Sequence, residues 1–295
     1  MKTKRFVLIA LLTIVVLILA ACQQQGGASV PADPVAAVKL IADKQKDIKS
    51  EHLDVTLDLT LQLAGLDSST DPSAAQIGAM FKNFKASANL NGDVDSAQNN
   101  FQLTGSADLG AFNAFLSPGG DKLTFDLVKV GDTMYSRALG KDWSSTPTNS
   151  SGASASTSIT ASQVSAQMAQ ILQKAAKAEK LGDETIDSAD SYHYKVTLNP
   201  VDLLTQFANI AKSADAAAPI DQAQLDQASA LLKDSTIEVE MWVGKADLLI
   251  RQEKIHLNFN IKNIPNQPDV SALLDMSILA KITKINQPVI ITAPK

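Results

Sequence analysis

Three histidines, one cysteine and a close pair of glutamates are the residues that could do chemistry in this 295-residue chain. His52 follows Glu51, His193 lies between Tyr192 and Tyr194, and His256 sits inside an alternating stretch. No two of them have the spacing of metal ligands, and no His-Glu-x-x-His pattern occurs. Glu238 and Glu240 stand two apart, so on a strand both carboxylates share one face. That suits an acid pair, and it equally suits a solvated strand face. There is no Gly-x-Ser-x-Gly elbow, phosphate-cradling glycine loop or dinucleotide fingerprint. These residues specify no catalytic group, no metal and no cofactor. The expectation is that the chain is not an enzyme.

The cysteine reads differently. Lys2, Lys4 and Arg5 form a charged start, and Phe6 to Ala20 an apolar run too short for a comfortable membrane span. Leu19-Ala20-Ala21-Cys22 then reads as a bacterial lipobox, and Cys22 is the one cysteine in the chain. Small residues before the cysteine suit the peptidase, and the thiol would accept a diacylglyceryl group. Residues 1–21 are therefore expected to be a lipoprotein signal peptide. Residues 22–33 would be the lipidated cysteine and a flexible tether, and residues 34–295 a single domain. With Cys22 modified, no disulfide framework and no thiol nucleophile remain. Processing would remove three cations and leave the chain more acidic than its formal net charge of −5. An acidic extracytoplasmic chain is a poor nucleic-acid binder. Membrane attachment would come from lipid on Cys22, since two or more acyl chains anchor stably.

The stretch from Thr236 to Ile261 shows what must position any site. Ile237, Val239, Met241 and Val243 alternate with Thr236, Glu238, Glu240 and Trp242. After Gly244 to Asp247, Ile255, Leu257, Phe259 and Ile261 alternate with Lys254, His256, Asn258 and Asn260. A period of two on both sides of a short turn predicts a hairpin with one dry and one wet face. The same alternation runs through Val55–Leu63, Phe84–Leu90, Phe101–Leu109, Leu123–Val130, Thr133–Leu139 and Tyr192–Leu198, with a last strand or pair from Met276 to about Ile291. Asn91-Gly92-Asp93, Ser117 to Gly120 and Gly131-Asp132 read as turns.

Helices are expected from Pro34, with Asp33 as cap and Val35, Val38, Ile41 and Ile48 as its stripe, and over Gln163–Leu181, stopped by Gly182. A further helical region runs from Pro200 to about Leu232. Residues 66–80 read as a polar loop with at most a helical turn, and Ser144–Ser158 as a flexible surface loop. Trp143 and Trp242 suit either a rim beside an opening or packing under the helices. The expected fold is α+β: a curved antiparallel half-barrel sheet of about 8–10 strands wrapped over several amphipathic helices. A sheet that wide curls, and its dry face must then be covered. Ala-rich helices over a floor with few aromatics would leave apolar volume, which a ligand can fill.

Several short stretches together resemble a known family. Val130-Gly131-Asp132-Thr133-Met134-Tyr135 leading to Trp143, Asp190 to Lys195, and Met241-Trp242-Val243 leading to Leu249-Ile250-Arg251 are similar to those of the LppX/LprAFG lipoproteins of actinobacteria, whose fold is like that of the lipoprotein carrier LolA. The lipobox at Cys22 agrees. The resemblance implies a hydrophobic cavity between sheet and helices that binds an acylated lipid or glycolipid and carries it within the envelope. Acyl chains would lie against Phe125, Leu127, Val239, Met241, Val243, Leu257 and Phe259. Loading by a membrane transporter would fit such a carrier. The other reading is a structural or interaction lipoprotein with a solid core, binding envelope polymer or protein.

Overall fold

A computed structural model of the chain describes residues 29–66, 71–116, 119–120, 122–148, 172–173, 175, 177–201, 222–262 and 269–295. The expected signal peptide, Cys22 and the first part of the expected tether lie outside the described residues. So do most of the expected helix from Gln163 and most of the region after Val201.

Among the described residues the chain forms eleven strands, most of them through alternation of apolar and polar side chains. They are β1 (Ser50–Ala64), β2 (Phe84–Asp95), β3 (Asn100–Asp108), β4 (Leu123–Val130), β5 (Thr133–Ala138), β6 (Ser144–Pro147), β7 (Lys177–Ile186), β8 (Ala189–Leu198), β9 (Thr236–Gly244), β10 (Ile250–Ile261) and β11 (Ser271–Thr283). They form one sheet in the order β6-β5-β4-β3-β2-β1-β11-β10-β9-β8-β7, antiparallel throughout. The chain runs outward from β1 to one edge, then returns inward from the other, so its last strand closes against its first.

Four helices accompany the sheet among the described residues: α1 (Pro34–Lys44), α2 (Pro72–Phe81), α3 (Asn113–Leu116) and α4 (Gln222–Leu231). Asp33 caps α1 as expected, its side chain accepting from the Ala36 N–H at 2.8 Å, with Pro34 in the first turn. Asp71 and Pro72 repeat that grammar at α2. Residues 66–80 thus carry a full helix, where the sequence suggested a loop with a turn. The stripe of α1 ends at Lys44, and Ile48 lies beyond it and beyond a 3-10 turn over Gln45–Asp47. Gln45 then fastens the end of α1 to the β9–β10 connection. Its amide nitrogen donates to the Ile41 and Leu248 carbonyls at 2.7 and 3.1 Å, and its oxygen accepts from the Ile250 N–H at 3.1 Å.

Several expectations are corrected. Among the described residues the sheet has eleven strands instead of 8–10. Ser144–Pro147, expected in a loop, pairs with β5 as a short exposed edge ending at a proline, a form that discourages further pairing. Lys177 to Leu181, expected at the end of a helix, belongs to the opposite edge strand. Its Lys, Ala, Glu and Leu are good helix formers, and pairing with β8 overrides that weak local preference. Gly92 is not a turn residue. It lies inside β2 opposite Leu103, and a Cβ there would sit 2.0 Å from the Gln102 carbonyl oxygen, so close backbone approach demands glycine. The true turn follows Asp95, with Asn99 at φ 55°. Gly131-Asp132 is the tight turn expected, Gly131 taking φ 56° between the paired Val130 and Thr133. The last strand stops at Thr283. The tail beyond is tied to β1 where the Ser50 hydroxyl donates to the Gln287 carbonyl at 2.6 Å and the Lys49 N–H to Asn286 at 2.7 Å.

Candidate functional site: the apolar face of the sheet

Register aligns the apolar side chains into rows across the strands. One row runs Val196, Val239, Ile255, Ile278, Leu57, Ala88, Ala107. The next runs Leu198, Ile237, Leu257, Met276, Leu59, Ala86. On the other side of the first lies Tyr194, Met241, Glu253, Ala280, Val55, Leu90, Gly105, Phe125. All of these stand on one face, because side chains two apart on a strand point the same way.

That face divides into two parts. Over β8 and β9 it is filled. Ala37, Val38, Ile41 and Ala42 of α1, with Leu172 and Ala175, close on Tyr194, Val196, Ile237, Val239, Met241 and Val243, and together they make one buried cluster. From β10 across β11 and β1 to β2 the same rows are only partly exposed to solvent and not sealed. Ile255, Leu257, Phe259, Leu274, Met276, Ile278, Leu53, Val55, Leu57, Leu59, Ala86, Ala88 and Leu90 all fall in that middle range. The floor is shallow here because Ala86, Ala88, Ala107, Gly105 and Ala280 carry little or no side chain. One end of this open part is closed by aromatics: Phe81 of α2, Phe84 and Phe112 pack with ring centroids 5.2–5.5 Å apart. At the other end of the strands Glu51, Val94 and Phe101 are buried.

The residues singled out in the sequence separate along the same line. Val239, Met241 and Val243 lie in the sealed part, against α1. Leu257 and Phe259 flank it and face the open part. Phe125 and Leu127 stand far across the sheet on β4, both partly exposed. The Phe125 ring lies over Gly105, where it occupies the space a Cβ would need. The seven are therefore on one face but not in one cluster.

One residue on this face was missed. Glu253 sits between Met241 and Ala280, on the dry side of β10. The residue keeps some exposure, yet its Oε1 is closed off from solvent and has no hydrogen-bond partner among the described residues. Burial pushes its carboxyl up to about 7. Glu51, also on this face, is raised for the same reason. Extending the alternation of β10 two residues back from Ile255 gives the signal that would have found Glu253.

The histidines lie on the outer face and are held in polar networks. His193 is nearly buried between Glu184 at 2.8 Å and Glu240 at 3.2 Å, and stacks on Trp242 with centroids 4.2 Å apart. Trp242 donates its indole N–H to Glu184 at 2.9 Å, so it packs on the outer face and forms no rim to the apolar one. Those bonds from Trp242 and His193 hold the Glu184 carboxyl below its usual range. Glu238 pairs with Lys195 at 2.7 Å. His52 bonds Asp93 at 2.6 Å, and His256 bonds Asp275 at 3.0 Å. Trp143 lies under the Arg137 guanidinium, 4.8 Å from the ring centre. Also on the outer face, a groove of about 390 Å³ runs across β1–β4, lined by Asp54, Thr56, Asn89, Asn91, Thr104 and Asp126 among others. Its polar groups are largely tied to one another, as Thr104 is to Asp126 at 2.8 Å. Among the described residues no group of three or more His, Cys, Asp or Glu is placed to hold a metal ion.

No family model matches the chain, and no curated protein matches it. Among solved structures it is similar to LprF from Mycobacterium bovis, with 13% identity over 87% of this chain and 96% of that one, at a TM-score of 0.42. It is similar to lipoprotein LppX from Mycobacterium tuberculosis, with 14% identity over 87% and 98% and a TM-score of 0.41. A DUF1329 family protein from Desulfovibrio piger follows, with 11% identity over 88% and 96% and a TM-score of 0.25.

Proposed function

We propose that this chain is a non-enzymatic, lipid-anchored extracytoplasmic protein that holds the acyl chains of a lipid or glycolipid against the open part of its apolar face and carries that lipid within the envelope. One observation carries the reading: the same rows of aliphatic side chains are sealed under α1 on β8–β9 and left unsealed from β10 to β2. Partly exposed hydrocarbon in a continuous patch is costly, at roughly 25 cal/mol per Å² left in water, and such patches mark binding surfaces. Acyl chains fit the chemistry, because each buried CH₂ contributes about 0.8 kcal/mol and demands no polar partner. The shallow Ala and Gly floor gives them depth. The lipobox at Cys22 supports attachment to the membrane face where such a lipid resides, and a membrane transporter would be the natural source of the cargo.

Purification followed by solvent extraction and lipid mass spectrometry tests the reading. A co-purifying acylated lipid, with a thermal shift on adding more of it, is the expected result. Absence of both would turn attention to the outer groove across β1–β4, a surface suited to a polar envelope polymer.

A further inference from the structure

Most of the open apolar face is hydrocarbon that distinguishes one acyl chain from another poorly. Glu253 is the exception. Its register partners are Met241 on β9 and Ala280 on β11, and the neighbouring row holds Ile255 and Ile278. None of these can bond a carboxyl. On the same face the titratable groups among the described residues include the Tyr194 phenol, two strands away in the same row, and Glu51 on β1; Arg251 stands at the bulge where the register of β10 shifts, and Asp247 holds it. A buried acceptor left unpaired costs about 1–3 kcal/mol. A side chain with that cost, enclosed on the one face that is otherwise ready for a guest, points to a group the guest supplies.

Resting on the carrier reading above, we infer that Glu253 is a specificity-determining residue that pairs with a free hydroxyl on the bound lipid, so that the site favours an uncharged hydroxylated lipid over its fully esterified counterpart. Three chemistries compete. A phosphate anion would meet a carboxyl with no cation beside it. An ammonium would ion-pair, but its remaining N–H donors would face Met241, Ala280 and Ile255 and stay unsatisfied, a heavy penalty in hydrocarbon. A hydroxyl brings one donor and accepts in return, so it satisfies the carboxyl whether that group is ionised or protonated. The carboxyl's raised pKa, near neutrality, makes both forms available.

The test uses the full-length protein in detergent, mixed with 1,2-dioleoylglycerol or with the same lipid acetylated at its free hydroxyl, and native mass spectrometry reads the bound fraction. Wild-type protein is expected to favour the free hydroxyl about tenfold, the weight of one lost hydrogen bond to a buried group. Glu253→Gln, which can still bond a hydroxyl, retains part of that preference, and Glu253→Leu binds both lipids alike. Equal binding of the two lipids by the wild type overturns the role of Glu253 and leaves the carrier reading standing. Preference retained in Glu253→Leu also overturns it. Binding of neither lipid, together with no lipid recovered on extraction, overturns both.

Discussion

Glu253 carries a cost that depends on pH, and its sign can be worked out. Unfolded, its carboxyl titrates near 4.5; folded, near 7, because burial disfavours the charge. Between those values the folded chain keeps a proton that the unfolded chain has lost, so stability falls as pH rises through the window. The flanking Met241 and Ala280 offer no charge to offset this, and Arg251 is already engaged by Asp247. Glu253→Gln should therefore raise unfolding stability at pH 8 by about 3 kcal/mol, and change it little at pH 4, in urea melts followed by circular dichroism. Glu51 has the same sign, so some slope remains. At this scale the sequence was only partly legible. His256 was legible as an outer-face residue, because alternation assigns it that face; His193, expected at a surface or rim, is instead buried between Glu184 and Glu240. Glu253 escaped because the run of clear hydrophobics begins at Ile255, and a charged residue on the dry side looks like the end of a pattern.

The elements divide by what seals them. Ile41 of α1 is fully buried against β8 and β9, so Ile41→Ala should cost about 2–5 kcal/mol. Leu57 lies in the adjoining rows but is only partly buried. Leu57→Ala should cost clearly less in the same urea melts, while weakening lipid binding. Equal costs would mean that the face is closed throughout. Gly92→Ala tests the close approach of β2 and β3. A Cβ would meet the Gln102 carbonyl at 2.0 Å, so the substitution should lower the thermal midpoint by several degrees or prevent folding. The strands of the hairpin over Thr236–Ile261 and the cap at Asp33 were legible, since a period of two and an Asp-Pro start are local signals. The edge strand β7 was not. Its composition favours helix, and only the neighbour β8, distant from that local preference, decides otherwise.

At the scale of the molecule, the described residues form a wide sheet whose dry side is sealed by α1 over β8 and β9 and only partly buried from β10 to β2. Width and one-sidedness were legible from the repeated alternation, but the division between sealed and open parts was not. It depends on where α1 lands, which is set by Gln45 bonding across more than two hundred residues to Leu248 and Ile250. The account rests on hydrocarbon chains lying on β10, β11, β1 and β2. A lipid bearing a photoreactive diazirine in its acyl chain tests that contact directly, with cross-linked peptides mapped by mass spectrometry. The account predicts labels on Leu57, Leu59, Leu257 and Met276, reduced by Ala88→Trp, which fills the floor. Labels confined to the outer groove around Asp54 and Asp126, or no specific labelling at all, would contradict it.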